Sequence, residues 1–263
     1  MADSRAAQPA SDATTRFSSR VQDYVRYRPR YPEVLYQFLR DEFRIGAGSV
    51  VADVGSGTGI FSEPLLAAGA VVHGVEPNVE MRGAAEQLLA RYPNFHSVAA
   101  PAEATTLPDH CADLVSCAQA FHWFDQPRAA AEFQRIAKTG GAVAVIWNQR
   151  RTSAAGFLAD YEALLVKYGT DYRQVAREHR PMSEADFAGL FGVAFRRFVF
   201  ANAQSLDLPG LRGRVLSASY TPAPGQPGHA ELLAGLGPLF DRYQQGGRVT
   251  IPYETEAFVA RLR

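Results

Sequence analysis

The sequence predicts an α/β fold, in which strands alternate with helices around a mostly parallel sheet. Three observations carry this. The apolar run that ends at Asp53 is followed at once by Gly55, Gly57 and Gly59, within SVVADVGSGTGIFS (49–62). That pattern reads as a buried strand, a glycine turn and the start of a helix. A second short β-branched run, VVHGV (71–75), ends on Glu76-Pro77-Asn78 and suits a central strand. A third run, GAVAVIW (141–147), is continuously apolar, as in a strand covered on both faces.

The remaining elements follow in order. Residues 1–15 are polar and alanine-rich, lack an apolar signal core and are expected to be disordered. A helix is predicted over Glu33–Phe43, with Val34, Leu35, Phe38, Leu39 and Phe43 on one stripe and Pro32 suited to its first turn. A third strand is expected over Asn94–Ala99. A fourth centres on Leu114 and Val115, with Ala118-Gln119-Ala120 opening the next loop. The spacing of Ala130, Phe133, Ile136 and Ala137 predicts a helix over Arg128–Ala137, which Gly140-Gly141 would terminate. Phe157, Leu158, Tyr161, Leu164 and Leu165 also have helical spacing, and Phe187, Leu190 and Phe191 form a second apolar cluster. The chain closes with a strand over Ala194–Ala203, helices over Leu208–Ser219 and Ala230–Gln245, and a last strand over Arg248–Tyr253. Residues 16–263 are expected to form one domain. Its core is 45–150 plus strands near 194–203 and 248–254, and segments 16–44, 153–190 and 205–246 form a helical lid.

The glycine turn points to a cofactor. Glycine lets backbone N–H groups approach a ligand and permits positive φ, and the helix start behind it favours negative charge or polar acceptors. Glu76 lies 21 positions after Gly55, near the distance of a ribose-binding acid. Both an oxidoreductase with an NAD-type cofactor and another nucleoside cofactor would use that device. The spacing G-x-G-x-G, with Asp53 two residues before the first glycine, departs from the G-x-G-x-x-G of dinucleotide folds.

This first motif resembles that of the class I S-adenosylmethionine-dependent methyltransferases. The string AQAFHWFD (118–125) and the segment DYVRYRPRYP (23–32) resemble their type 11, trans-aconitate-methyltransferase-like small-molecule subgroup. The resemblance covers most of the chain up to residue 150 and is thin over 150–245. It implies a Rossmann-like, seven-stranded, mostly parallel sheet with helices on both faces and an antiparallel last strand. It also implies that S-adenosyl-L-methionine is the cofactor and S-adenosyl-L-homocysteine the product.

The residues that the resemblance assigns to the cofactor are Asp53, Gly55, Ser56, Gly57 and Thr58 in the turn, and Glu76, Pro77 and Met81 after the second strand. Ala102 and Glu103 would meet the adenine; Ala118, Gln119, Ala120 and Trp123 would lie along the fourth-strand loop. Tyr24 would cover the sulfonium, and Arg28 would hold the cofactor carboxylate. Phe121, His122 and Trp123 would wall the reaction centre, while Phe124 reads as core packing. His122 is the first candidate for a general base because its unperturbed pKa lies near neutrality. Tyr220, Tyr27 and Asp125 follow it.

Composition narrows the partners. Lys plus Arg and Asp plus Glu both number 27, and this zero net charge argues against a nucleic-acid substrate. The two cysteines, Cys111 and Cys117, imply neither a disulfide framework nor a metal set and read as buried thiols. No apolar stretch reaches the roughly 18 residues of a membrane span. The expectation is a cytoplasmic enzyme, monomer or homodimer, acting on an O, N or C nucleophile of a small molecule. The alternatives are an NAD-type oxidoreductase and a non-catalytic cofactor-binding protein.

Overall fold

The computed structural model describes residues 21–153, 155–172 and 182–262. The disordered segment expected at residues 1–15 lies outside them. Seven strands form one sheet in the order β3-β2-β1-β4-β5-β7-β6. They are β1 (Val50–Val54), β2 (Val71–Val75), β3 (Phe95–Val98), β4 (Ala112–Ala118), β5 (Ala137–Arg150), β6 (Arg196–Leu206) and β7 (Val249–Arg261). The first five run parallel, and β7 is antiparallel to both β5 and β6. Strand order reverses between β1 and β4, which opens a crevice at their carboxyl ends.

Alternate side chains of the central strands feed two apolar layers. Val51, Ala142, Ala144 and Ile146 pack with α2 (Glu33–Phe43) and α3 (Ser62–Ala67) on one face. Ala52, Val54, Val143 and Val145 pack on the other with α5 (Gln126–Ile136) and α7 (Glu184–Phe191). Between these helices in the chain lie α1 (Val21–Tyr27), α4 (Val79–Leu88) and α6 (Phe157–Tyr168), and α8 (Leu208–Leu216) and α9 (His229–Tyr243) follow α7. Tyr161 and Leu165 of α6, Leu211 and Val215 of α8 and Leu232 and Leu236 of α9 build a third apolar cluster. It rests on Leu206 of β6 and on Val249, Ile251 and Tyr253 of β7. Among the described residues no helix is long and apolar enough to cross a membrane.

The structure corrects several boundaries. α5 ends at Ile136, and Ala137 is already extended (φ −72°, ψ 139°), so Gly140-Gly141 does not cap the helix. The pair lies instead in an irregularity of β5, where pairing with β4 jumps from Ala112↔Ala137 to Leu114↔Ala142. A Cβ at Gly141 would come within 2.8 Å of Lys138 O. Strand β7 runs on to Arg261, eight residues past the expected end at Tyr253. Glu254 and Glu256 masked it, because the period-2 pattern carries acids there; Glu256 is buried and pairs with Arg197 of β6. Pro32 is the N-cap of α2 rather than its first helical residue. Cys117 is buried, but Cys111 is only half-buried.

Candidate active site

The turn after β1 is held by backbone geometry. Gly55, Gly57 and Gly59 have φ of +71°, +55° and +82°, a region that L side chains rarely adopt. Gly55 is also needed for space: a Cβ there would lie 2.5 Å from Ala120 Cβ and 3.0 Å from Phe124 Cζ. The Gly55 and Ser56 N–H groups donate to Val75 O at 2.8 and 3.1 Å, which ties the turn to the end of β2.

Three carboxylates surround this turn. Asp53 is fully buried at the end of β1 and accepts from Ser62 Oγ (2.6 Å) and Ser116 Oγ (3.1 Å). Burial pushes its carboxyl up to about 6, although both serines oppose the shift. Glu76, just past β2, accepts from Gly57 N and Asn78 N, each at 2.9 Å. Burial raises its pKa too, against the pull of those two bonds. Asn78 caps α4 by accepting from Met81 N at 2.8 Å, so the cap and Glu76 fix one another. Glu103 lies beyond β3 and accepts from Asp125 N at 2.8 Å.

Two cavities open at the carboxyl ends of the strands and share Tyr24, Gly55, Gly57, Ala118 and Gln119 as a common wall. The smaller, about 180 Å³, is lined by Glu76, Pro77, Met81, Ala102, Glu103 and Trp123, with Ala120 and Phe124 beside them. The larger, about 350 Å³, takes in Arg28, Asp53, Ser56, Thr58, Tyr31 and Tyr220. Every residue that the sequence reading assigned to the cofactor therefore lines one cavity or both. Gln119 holds a left-handed backbone (φ +62°), and its side chain donates to Asn148 O at 3.1 Å. Strain at a non-glycine residue in such a wall is a feature of functional sites.

Four other candidates sit elsewhere. His122 lines neither cavity; its Nδ1 accepts from Trp147 Nε1 at 3.4 Å, and Trp147 itself lines the larger cavity. Tyr27 also lines neither, because its ring covers Gly213 of α8, where a Cβ would lie 2.1 Å from it. Asp125 is the N-cap of α5, accepting from Arg128 N at 3.3 Å. Phe121 is fully buried among Phe124, Phe133, Phe187 and Phe191, so it belongs to the core and not to the reaction-centre wall.

The sequence reading missed part of the larger cavity. Arg150 at the end of β5 pairs with Glu162 of α6 and donates to Tyr172 Oη at 2.6 Å, and Tyr172 donates to Glu162 Oε1 at 2.6 Å. Arg214 of α8 is buried, and its Nε donates to Tyr253 Oη at 3.2 Å. A legible signal existed for Arg214: a charge between apolar residues in LRGRVL, on the face that α8 buries.

The chemistry of the walls suits S-adenosylmethionine. The smaller cavity is lined by two acids able to accept hydrogen bonds, Glu76 and Glu103, together with apolar Pro77, Met81 and Ala102. The larger offers buried N–H and O–H groups without a protein partner among the described residues, Arg28 Nε and Thr58 Oγ1, as a polar amino-acid tail requires.

Together, this strand order, glycine turn and pair of acids define an α/β protein with an open crevice at its topological switch point, the place where such folds take a nucleotide-type ligand. Comparison with known proteins names the class. The methyltransferase-domain family profile matches residues 52–145. The ubiquinone biosynthesis O-methyltransferase of Paraburkholderia xenovorans is 30% identical over 66% of this chain and 72% of its own. An uncharacterized methyltransferase of Schizosaccharomyces pombe is 34% identical over 52% of this chain and 54% of its own. This chain spans about half the length of the first curated relatives it matches. The fold is shared with a provisionally named methyltransferase from an antibiotic biosynthesis pathway of Anabaena variabilis (TM-score 0.62, 22% identity, 89% of this chain and 98% of that one). The chain belongs to the class I S-adenosylmethionine-dependent methyltransferases. Membership implies S-adenosylmethionine as the methyl donor.

Proposed function

We propose that this protein methylates an oxygen, nitrogen or carbon of a small molecule. One observation carries the reading: two connected cavities meet at Gly55, Gly57 and Gln119, one with the features of a nucleoside site and the other larger than an amino-acid tail needs. The motif AQAFHWFD at that junction supports the small-molecule subgroup.

When bound, S-adenosylmethionine supplies an activated methyl group, so the protein's task is mainly positioning and exclusion of water. Glu76 holds the ribose and Glu103, with the Ala102 backbone, reads the adenine. Pro77, Met81, Ala120 and Trp123 enclose the rings, and Ala118 and Gln119 form the floor. Asp53, Ser56 and Thr58 support the turn and the amino-acid end, and Arg28 takes the carboxylate. Tyr24, common to both walls, separates the nucleoside half from the acceptor. Helices α6, α8 and α9 then act as a cover over the strand ends within a single domain. Tyr220 lines the larger cavity and is a candidate to receive a proton where the acceptor must lose one. His122 acts at one remove, by orienting Trp147.

The reading is tested with methyl-labelled S-adenosylmethionine, a broad set of metabolite-sized acceptors, and RNA and protein controls. Label is expected in a small molecule alone. Label in nucleic acid or protein, with none in any small molecule, would overturn the acceptor class.

A further inference from the structure

The two edges of the sheet differ. Strand β3, at one edge, is four residues long. Strand β6, at the other, is eleven residues long and pairs with β7 from Arg196↔Val259 to Leu206↔Val249 without a shift of register. A short edge strand resists pairing with another chain, whereas a long and regular one invites it.

Hydrogen bonds show which residues of β6 turn outward. Arg151 N donates to Pro252 O at 3.1 Å, so the backbone of Pro252 points to the β5 side. Ala203, the register partner of Pro252, therefore turns its own N–H and C=O away from β7. Alternation extends this to Arg197, Val199, Ala201 and Ser205. Both ends of that row are capped by side chains: Arg197 N donates to Glu184 Oε1 at 2.8 Å, and Ser205 O accepts from Arg248 Nη2 at 2.6 Å. Val199, Ala201 and Ala203 lie between the caps. Ala203 N donates to Asn202 Oδ1 at 2.9 Å; the other outward backbone groups of these three have no partner among the described residues. The window holds neither charge nor proline nor bulge, the devices that guard an edge, and Val199 is 45% exposed.

We propose that β6 pairs antiparallel with β6 of a second copy of this chain, joining the two sheets into one across a homodimer. The open window is self-complementary. A two-fold axis beside Ala201 sets Ala201 against itself and Val199 against Ala203 of the second copy, so all three open residues gain partners at once. A shift of register in either direction brings one of the three against a capped end, Arg197 or Ser205. Charge fits the same register. The seam is uncharged, the Arg196 and Arg197 pairs of the two copies fall at opposite ends, and Arg197 is already paired with Glu256. Ala201 and Ala203 allow close approach on one face, where Val199 packs on Ala203 of the second copy. On the other face Phe198 and Phe200 are half-buried against Phe38 of α2, with ring centroids 4.4 and 5.5 Å apart. The two Phe200 rings become diagonal neighbours across the seam.

The test is sedimentation velocity of the whole chain over a hundredfold range of concentration, with amide hydrogen exchange read at Ala201. The wild type is expected to sediment at twice the chain mass. Ala201→Pro removes an N–H that faces away from β7, so the internal ladder is kept while the seam is blocked. Val199→Lys places a charge in the seam at an exposed position. Both variants should sediment as monomers, with a Kd for S-adenosylhomocysteine within threefold of the wild type. The Ala201 amide should exchange at least tenfold faster in Val199→Lys than in the wild type. Should Ala201→Pro melt well below the wild type, Val199→Lys decides. The proposal fails if the wild type is a monomer throughout, or if a well-folded variant remains a dimer. It also fails if the Ala201 amide exchanges as slowly in the monomeric variant as in the wild type, because another part of the chain then covers the edge.

Discussion

Gly55 and Gly57 sit two residues apart in one turn, yet their substitution by alanine should have different consequences. At Gly55 the φ of +71° costs an L residue about 1–2 kcal/mol. The new Cβ would lie 2.5 Å from Ala120 Cβ, when carbon atoms pack at roughly 3.5–4.0 Å, so the loop after β4 must retreat by about 1 Å. Retreat is resisted because Phe121, the next residue, is fully buried in an aromatic cluster. Such overpacking adds about 1–3 kcal/mol. Gly55→Ala should therefore lose about 2–5 kcal/mol, a fall in Tm of roughly 5–15 °C for a chain of this size. At Gly57 the only close neighbour among the described residues is Met81 Cε at 3.3 Å, the tip of a flexible side chain. Gly57→Ala should lose about 1–2 kcal/mol from its positive φ. It faces both cavities, however, and affinity for S-adenosylhomocysteine should fall at least tenfold. Thermal melts with and without ligand, together with calorimetric titration, measure both quantities. A Gly55→Ala protein that melts within about 2 °C of the wild type, or a Gly57→Ala protein with undiminished affinity, would refute the reasoning.

Three further outcomes follow from the buried acids. Glu76→Gln replaces one of two acceptor oxygens by an NH2 facing Gly57 N or Asn78 N, and should weaken S-adenosylhomocysteine binding roughly ten- to a hundredfold in the same titration. Glu132 accepts from Arg135 and from Thr105 N and Oγ1, and these bonds hold its carboxyl down at about 2. Its stabilisation is present above the unfolded value of about 4.3 and lost as pH falls through about 2. Glu132→Gln should cost about 1–3 kcal/mol at pH 7 and shrink the acid transition in urea unfolding. Asp53 has the opposite sign: its folded pKa is raised to about 6, so the native state binds the extra proton and the contribution of this group declines as pH rises from about 3.9 through 6. Asp53→Asn should flatten stability across that window, and an unchanged slope between pH 4 and 7 would count against the burial argument.

The half of the chain that carries the smaller cavity was legible because its signals are local. A β-branched run, a glycine turn and an acid at a strand end each lie within a few residues, and β2 falls at 71–75 as its composition predicts. Helix α2 spans Glu33–Phe43 as expected, but Val34 of the expected stripe is exposed and Tyr36 is buried instead. The far end of the sheet was less legible. β7 depends on pairing across its whole length with β5 and β6, and its buried Glu256 is paired by Arg197, which lies diagonally across on β6, two residues from Val199, the register partner of Glu256. No window of β7 alone contains that information. The same holds for Arg150, Arg214 and Tyr253, which come together from β5, α8 and β7 through tertiary packing. His122 shows the reverse error. Its residue type and its place in AQAFHWFD suggested a base, but the short 3-10 turn at Phe121–Trp123 directs it to Trp147 instead of into either cavity.

The central claim is that this crevice takes an S-adenosyl nucleoside. Calorimetric titration of the protein with S-adenosylhomocysteine, and separately with NAD, tests it most directly. One-site binding of S-adenosylhomocysteine, abolished by Gly57→Arg, with no heat from NAD, is the result expected. Saturable binding of NAD with none of S-adenosylhomocysteine would contradict it.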